Sequence, residues 1–314
     1  MSNGSLAFVF PGQGSQYVGM GKDLCDQFSV AQQVFSEAEE ALGLPLRELC
    51  FFGPESDLKL TENTQPAILT VSIAALRVLL SETGWQPAYV AGHSLGEYSA
   101  LVCVGAIAFN DAVRVVRQRG RLMQEAVPAD AGAMAVVMGL DRDAVGALCA
   151  DASEGDVVAP ANYNGGGQIV IAGSRAALSR AMSLARERGA KRVLELPVSA
   201  PFHCPLMQPA ADGLQRVLSD VQVQPFSIGV VTNVEAEVNL DPGRVKSLLT
   251  EQAVKPVRWE ESVRQLERLG VYRVLEVGPG KVLKGLVKRI SPAMATDNFE
   301  SPDDLARIAE ELKG

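Results

Sequence analysis

"VAGHSLGEYSA", residues 90–100, places Ser94 between Gly92 and Gly96, after a short apolar run and before a stretch of helical character. The pattern G-x-S-x-G is common by chance, and its meaning comes from a strand before it and a helix after it. Such a turn must be sharp, so that the serine Oγ leaves the end of a sheet. Flanking glycines let the backbone pass without side-chain clashes. The following helix aims its N–H groups and positive dipole end at developing negative charge. "AYVAG" (88–92) reads as a buried strand and residues 95–104 as a helix, which makes Ser94 a candidate nucleophile.

Outward from this turn, strand-like and helix-like segments alternate, the pattern of an α/β fold. "LAFVF" (6–10) reads as a buried strand running into the turn "PGQGSQ". Residues 65–83 read as a mostly buried helix closed by Gly84, and 110–126 as another, with Asn110 or Asp111 as its cap. Over about residues 132–196 the predicted order is β-α-β-β-α-β, the ferredoxin-like motif. We therefore expect a small subdomain, 128–197, with Pro128 and Pro197 near its hinges, inserted into a larger domain of residues 1–127 and 198–314. Beyond it, 205–219, 242–254 and 259–269 read as helices, and "SIGVVT" and "VYRVLEV" as strands. "KVLKGLVKRI" reads as an amphipathic helix with Val282, Leu283, Leu286, Val287 and Ile290 inward and Lys281, Lys284 and Lys288 outward. A last helix starts at Ser301 and Pro302.

The 314 residues are 47% hydrophobic, enough for one large core and a smaller one. The net charge of −8 carries no long block of one sign, which argues against a nucleic-acid-binding surface. The five cysteines, Cys25, Cys50, Cys103, Cys149 and Cys204, are scattered and lack a CxxC pair, arguing against a disulfide framework or a zinc site. No basic region precedes "LAFVF", so it does not read as a signal peptide. The apolar run from Tyr98 to Phe109 is shorter than the ~20 residues that span a bilayer. The expectation is a cytoplasmic protein without membrane segments.

A nucleophilic serine needs a base, and the chain has only His93 and His203. His93 adjoins Ser94, where side chains diverge from the turn. That leaves His203, in the proline-rich "PVSAPFHCP" at the expected junction of the two domains. No acid stands out as a third triad member, and a carbonyl could fix the imidazole tautomer instead. The oxyanion requires two donors: the N–H of Leu95, after the nucleophile, and the N–H of Gln13 in "PGQGSQ".

These motifs, with "RG" at 119–120, "GAMAVV", "SAPFH" and "VGPGKVLKGLVKR", occur in an order and spacing that closely resembles the malonyl-CoA:acyl carrier protein transacylases of type II fatty-acid synthesis. The resemblance covers essentially the whole chain. It implies an α/β-hydrolase-like large domain and a ferredoxin-like small one. It also implies ping-pong transfer of malonyl from malonyl-CoA, through a malonyl-serine, to the phosphopantetheine thiol of acyl carrier protein, with no cofactor and no metal. Ser94 would be the nucleophile, His203 the base and then acid, Gln13 and Leu95 the oxyanion donors, and Gln252 the residue whose backbone carbonyl orients the histidine. Arg119 would clamp the free carboxylate of malonyl; the residues alone leave Arg117, Arg119 and Arg121 open. A guanidinium suits the task, with two parallel donors and a permanent charge. Phe202 would fill the space of an α-methyl group and so favour malonyl over methylmalonyl.

An acidic carrier protein calls for a basic docking patch. Lys281, Lys284, Lys288 and Arg289 form one candidate, and Arg186, Arg188, Lys191 and Arg192 another. Three alternatives share these motifs to different degrees: a trans-acting acyltransferase of polyketide synthesis, a serine thioesterase that would not need Arg119, and a non-catalytic module that binds carrier protein. Without a long exposed apolar stripe, a monomer is expected.

Overall fold

The computed structural model describes residues 5–128, 130–198 and 200–311; Ser199 of "SAPFH" and residues 312–314, at the end of the last expected helix, lie outside them. β1 (Ser5–Phe10) buries Ala7 to Phe10 completely. It is followed by four helices that local patterning does not announce: α1 (Lys22–Gln27), α2 (Ser29–Leu42), α3 (Leu46–Phe52) and α4 (Glu55–Leu58). α5 (Thr61–Thr83) begins a turn before position 65. By length and composition it could cross a membrane, yet 83% of its most apolar window is buried inside the protein. It is apolar nearly all round because other helices and the sheet surround it.

β2 (Tyr89–Gly92) and α6 (Gly96–Cys103) flank Ser94 as expected. α7 (Phe109–Glu125) departs from expectation at its start: Ala108 is the N-cap, without a side-chain hydrogen bond. Asp111 lies inside the first turn instead, where a carboxylate still complements the helix dipole.

The middle of the chain runs β3 (Gly132–Met138), α8 (Arg142–Ser153), β4 (Val158–Gly165), β5 (Gln168–Ser174), α9 (Arg175–Glu187) and β6 (Arg192–Glu195). Asp141 and Ser174 cap the two helices by accepting from Ala144 N and Ala177 N. The strands form an antiparallel sheet in the order β4-β5-β3-β6. One face packs on α8 and α9 through Ala135, Val137, Ile169 and Ile171. The other presents Met134, Val136, Val170 and Ala172 to Phe202 and Met207 of the larger layer.

The chain then forms a 3-10 turn and α10 (Gln208–Ser219), β7 (Gly229–Val231), β8 (Val238–Asn239), α11 (Pro242–Gln252) and α12 (Trp259–Arg268). It ends with β9 (Val271–Val277), α13 (Val282–Ile290), β10 (Ala295–Phe299) and α14 (Pro302–Glu311). α13 corrects two expected orientations. Val282 is 51% exposed rather than inward. Lys284 is half-buried and lies 3.3 Å from Asp297 rather than facing out.

The large sheet has the order β10-β9-β1-β2-β7-β8, parallel except for the β7–β8 pair. From β1 the order departs to β2 on one side and to β9 on the other. Ligands of open parallel sheets bind beyond the carboxyl ends of the strands at such a switch point. The loops carrying Gln13, Ser94 and Asn233 all leave that edge, after β1, β2 and β7.

Candidate active site

The turn between β2 and α6 is as tight as the two glycines suggest. A Cβ on Gly92 would lie 1.9 Å from the carbonyl carbon of Gly96, and one on Gly96 would lie 2.0 Å from the Phe10 oxygen. Ser94 itself has φ 51°, a left-handed backbone that costs a non-glycine residue free energy. Hydrogen bonds from elsewhere hold it there. Ser94 N donates to Asn233 Oδ1 (2.6 Å), while Asn233 Nδ2 donates to Gly92 O (2.6 Å).

His203, also at positive φ, 59°, meets the serine from the far side of the cleft. Its Nε2 lies 2.7 Å from Ser94 Oγ, and its Nδ1 lies 2.7 Å from the Gln252 backbone oxygen. A carbonyl can only accept, so Nδ1 carries the proton and Nε2 accepts from the serine hydroxyl. Burial pushes the His203 pKa down to about 3, and the neighbouring Arg119 charge adds to the shift. The imidazole is therefore neutral near pH 7, ready to take a proton. His93 turns the other way: its Nε2 is 3.0 Å from Asn164 Oδ1 and its ring packs on Trp259.

Arg119 reaches the same point from α7 and is only 2% exposed. Its Nη1 donates to Gln65 Oε1 (2.8 Å); its Nη2 donates to Gln252 Oε1 (2.9 Å) and to Ser94 Oγ (3.0 Å). Among the described residues its Nε has no hydrogen-bond acceptor, and the guanidinium lies over the Tyr98 ring, 5.5 Å from its centroid. No carboxylate among the described residues lies within ion-pair distance of it. A buried guanidinium without a counter-ion is costly unless a ligand supplies one. Arg117 and Arg121, which the sequence left open, pair instead with Glu62 and Glu125.

These groups line a cavity of about 120 Å³, with Met123, Met134, Leu196, Val198 and Phe202 as its apolar wall. Gln13 and Leu95 line it too, and neither backbone N–H donates to a protein acceptor among the described residues. The cavity adjoins a second of about 300 Å³, with Gln13, His93, Asn162 and Leu196 common to both and Val282 and Arg289 at the outer part. Among the described residues no group of three or more His, Cys, Asp or Glu side chains is placed to hold a metal ion.

A half-buried serine paired with a buried histidine at a strand–turn–helix, with free N–H groups beside it, is equipped for acyl transfer. The sequence over residues 7–293 matches the acyl transferase domain family. The chain belongs to that family. It is 47% identical over 305 residues to the malonyl CoA-acyl carrier protein transacylase of Escherichia coli O157:H7, covering 97% of this chain and 99% of the relative. The crystal structure of an acyl carrier protein S-malonyltransferase from Vibrio cholerae superposes with a TM-score of 0.95 at 48% identity, over 97% of this chain and 99% of that one. A malonyl-transacylase solved with a type II polyketide acyl-carrier protein gives 0.95 at 45% identity, over 98% and 99%.

The structure brings Ser94, His203, Gln252, Arg119, Gln13, Leu95 and Phe202 together around one cavity. Three further residues at the site escaped the sequence reading: Gln65, Asn233 and Glu97. Gln65 and Asn233 carry no local signal. Glu97 does, as the only Asp, Glu, Lys or Arg between Trp85 and Asn110. The two basic patches are partly neutralised. Lys281 pairs with Glu300, Lys284 with Asp297, and Arg188 with Asp151.

Proposed function

We propose that the chain transfers a malonyl group from malonyl-CoA to the phosphopantetheine thiol of acyl carrier protein, supplying fatty-acid chain elongation. The observation that carries this reading is Arg119: a buried cation beside the nucleophile, with no carboxylate among the described residues at ion-pair distance. An acyl group bearing its own carboxylate would supply the missing counter-ion.

In the first half-reaction His203 Nε2 takes the Ser94 proton as Oγ attacks the thioester carbonyl. The Leu95 and Gln13 N–H groups hold the oxyanion. The tetrahedral intermediate collapses, the C–S bond breaks, and the imidazolium returns its proton to the departing CoA thiolate. In the second half-reaction the carrier thiol gives its proton to His203 and attacks the malonyl-serine. The C–O bond breaks and Ser94 recovers its proton. These steps use only the chain's own groups and the two substrates.

The large layer, residues 1–127 and 198–314, is read as an α/β-hydrolase-like domain on the strength of its parallel sheet and serine turn. The inserted 128–197 is read as ferredoxin-like, supported by the strand order β4-β5-β3-β6. The enzyme is read as a cytoplasmic monomer. The likeness to a transacylase solved with a polyketide carrier supports a second reading, in which the same chemistry serves polyketide assembly.

Intact-protein mass after mixing with malonyl-CoA, and again after adding phosphopantetheinylated carrier protein, tests the proposal. A malonyl adduct on Ser94 that moves to the carrier is the expected result. An adduct lost to water at the same rate without carrier would indicate a thioesterase. Comparing fatty-acid and polyketide carriers in the second step separates the two acceptors.

A further inference from the structure

The Ser–His pair has no acid of its own, yet a carboxylate lies one residue further back. Glu97, in the first turn of α6, is 2% exposed. Its Oε2 accepts from Gln252 Nε2 (2.7 Å) and from the backbone N of Asn233 (3.0 Å). Each of these residues holds one half of the catalytic pair. Gln252 offers its backbone oxygen to His203 Nδ1, and its side-chain Oε1 accepts from Arg119. Asn233 accepts from Ser94 N and donates to Gly92 O. Gln252 Nε2 also reaches the Ser94 carbonyl at 3.1 Å.

We propose that Glu97 is a positioning residue: by accepting from Gln252 and Asn233 at once, it fixes the serine turn and the carbonyl that orients His203 in register with each other. The inference rests on the catalytic roles read above for Ser94 and His203.

A primary amide can turn over and exchange its oxygen for its nitrogen. The Gln252 amide has one workable orientation only while an acceptor faces Nε2 and a donor faces Oε1. Glu97 is the nearer such acceptor, at 2.7 Å against 3.1 Å for the Ser94 carbonyl, and Arg119 is that donor. Stability alone would favour a different residue here. Among the described residues no cation forms an ion pair with Glu97, and an unpaired buried carboxylate is costly to keep. Burial raises its pKa to about 7, against the opposing pull of the Gln252 and Asn233 donors and the Arg119 charge. An apolar side chain would avoid that cost but would leave both donors unmatched.

The test compares Glu97→Ala and Glu97→Gln by malonyl-transfer kinetics, thermal melting, and the rate at which phenylmethylsulfonyl fluoride modifies Ser94. The last measurement needs no malonyl group. Glu97→Ala is expected to lower kcat and the modification rate by about 10- to 100-fold, the scale of a small misplacement, with KM for malonyl-CoA changed by less than about threefold. Glu97→Gln keeps an acceptor oxygen and is expected to recover most of both losses. If Glu97→Ala does not fold, Glu97→Asp keeps the charge but draws the oxygen back, and the same loss in kcat is expected. The proposal is overturned if folded Glu97→Ala, or Glu97→Asp in its place, has wild-type kcat and modification rates. It is equally overturned if only KM moves, or if Glu97→Gln is no better than Glu97→Ala. Wild-type enzyme that ignores malonyl-CoA but shows the Glu97-dependent modification would defeat the substrate reading and leave this one standing.

Discussion

Arg119 Nη2 donates to Ser94 Oγ at 3.0 Å, so the cation proposed to receive the substrate's carboxylate already touches the proposed nucleophile. Truncating a buried hydrogen-bonded charge contact costs about 2–5 kcal/mol, roughly 30- to 5,000-fold in a rate ratio. Arg119→Ala is therefore expected to lower kcat/KM for malonyl-CoA within that range while lowering it much less for acetyl-CoA, which has no carboxylate. Arg119→Lys is expected to restore little, because a point charge lacks the two parallel donors. Equal losses on the two thioesters would refute the clamp.

In the proposed chemistry His203 sets the pH behaviour. Its pKa is held at about 3, mainly by burial and then by Arg119, against the ordinary 6.5. The rate of serine acylation should therefore show no downward inflection near pH 6.5 attributable to this histidine. Removing the guanidinium in Arg119→Met should move the acid limb for acetyl-CoA upward. Stability responds in the same direction: as pH falls from 6.5 towards 3, the unfolded chain takes up a proton that native His203 refuses, so its contribution declines. Glu97 and Glu276, raised from 4.5 to about 7 by burial, act oppositely, favouring the fold more as pH falls through 7. Denaturant titrations of His203→Gln and wild type between pH 4 and 7 isolate the histidine; an unchanged difference across that window would contradict the assignment.

Phe202, 8% exposed, lines the cavity beside His203. Phe202→Ala should admit an α-methyl group and shift the ratio of kcat/KM for methylmalonyl-CoA over malonyl-CoA upward by about tenfold, within the ~1–3 kcal/mol that shape selection supplies. An unchanged ratio would place the selection in another wall residue.

On α13, Lys288 and Arg289 form no ion pair among the described residues, and Arg289 lines the outer cavity. Lys288→Glu with Arg289→Glu is expected to raise KM for carrier protein several-fold and to flatten its dependence on ionic strength. The first half-reaction should be nearly unaffected. Unchanged carrier KM would move the docking face to Arg186, Lys191 and Arg192.

The parts of the fold legible in the sequence were those written in local pattern. Strand, glycine turn and helix around Ser94 and the alternation from Gly132 to Glu195 needed only neighbouring residues. β10 was missed because "ATDNF" carries buried polar groups, with Asp297 held by Arg273 at 3.3 Å and by Lys284 at 3.3 Å, a pairing invisible along the chain. Val282 follows the apolar stripe of α13 but lies at its first turn, where it lines the outer cavity and stays half exposed. At the site, Ser94 and His203 stood out by chemistry and scarcity. Asn233 and Gln65 are ordinary amides whose importance comes from contacts 139 and 54 positions away.

Val257 bonds on both sides to the edge of the small sheet, donating to Ala161 O (2.9 Å) and accepting from Tyr163 N (2.9 Å). The same short run of chain, 252–257, begins at the carbonyl that aims His203. β4 is thus tied to the 252–257 run next to His203, as Asn164 on the same strand is tied to His93. Any hinge opening at that edge would pull directly on the segment that sets the imidazole, so the width of the cleft and the competence of the base are geared together.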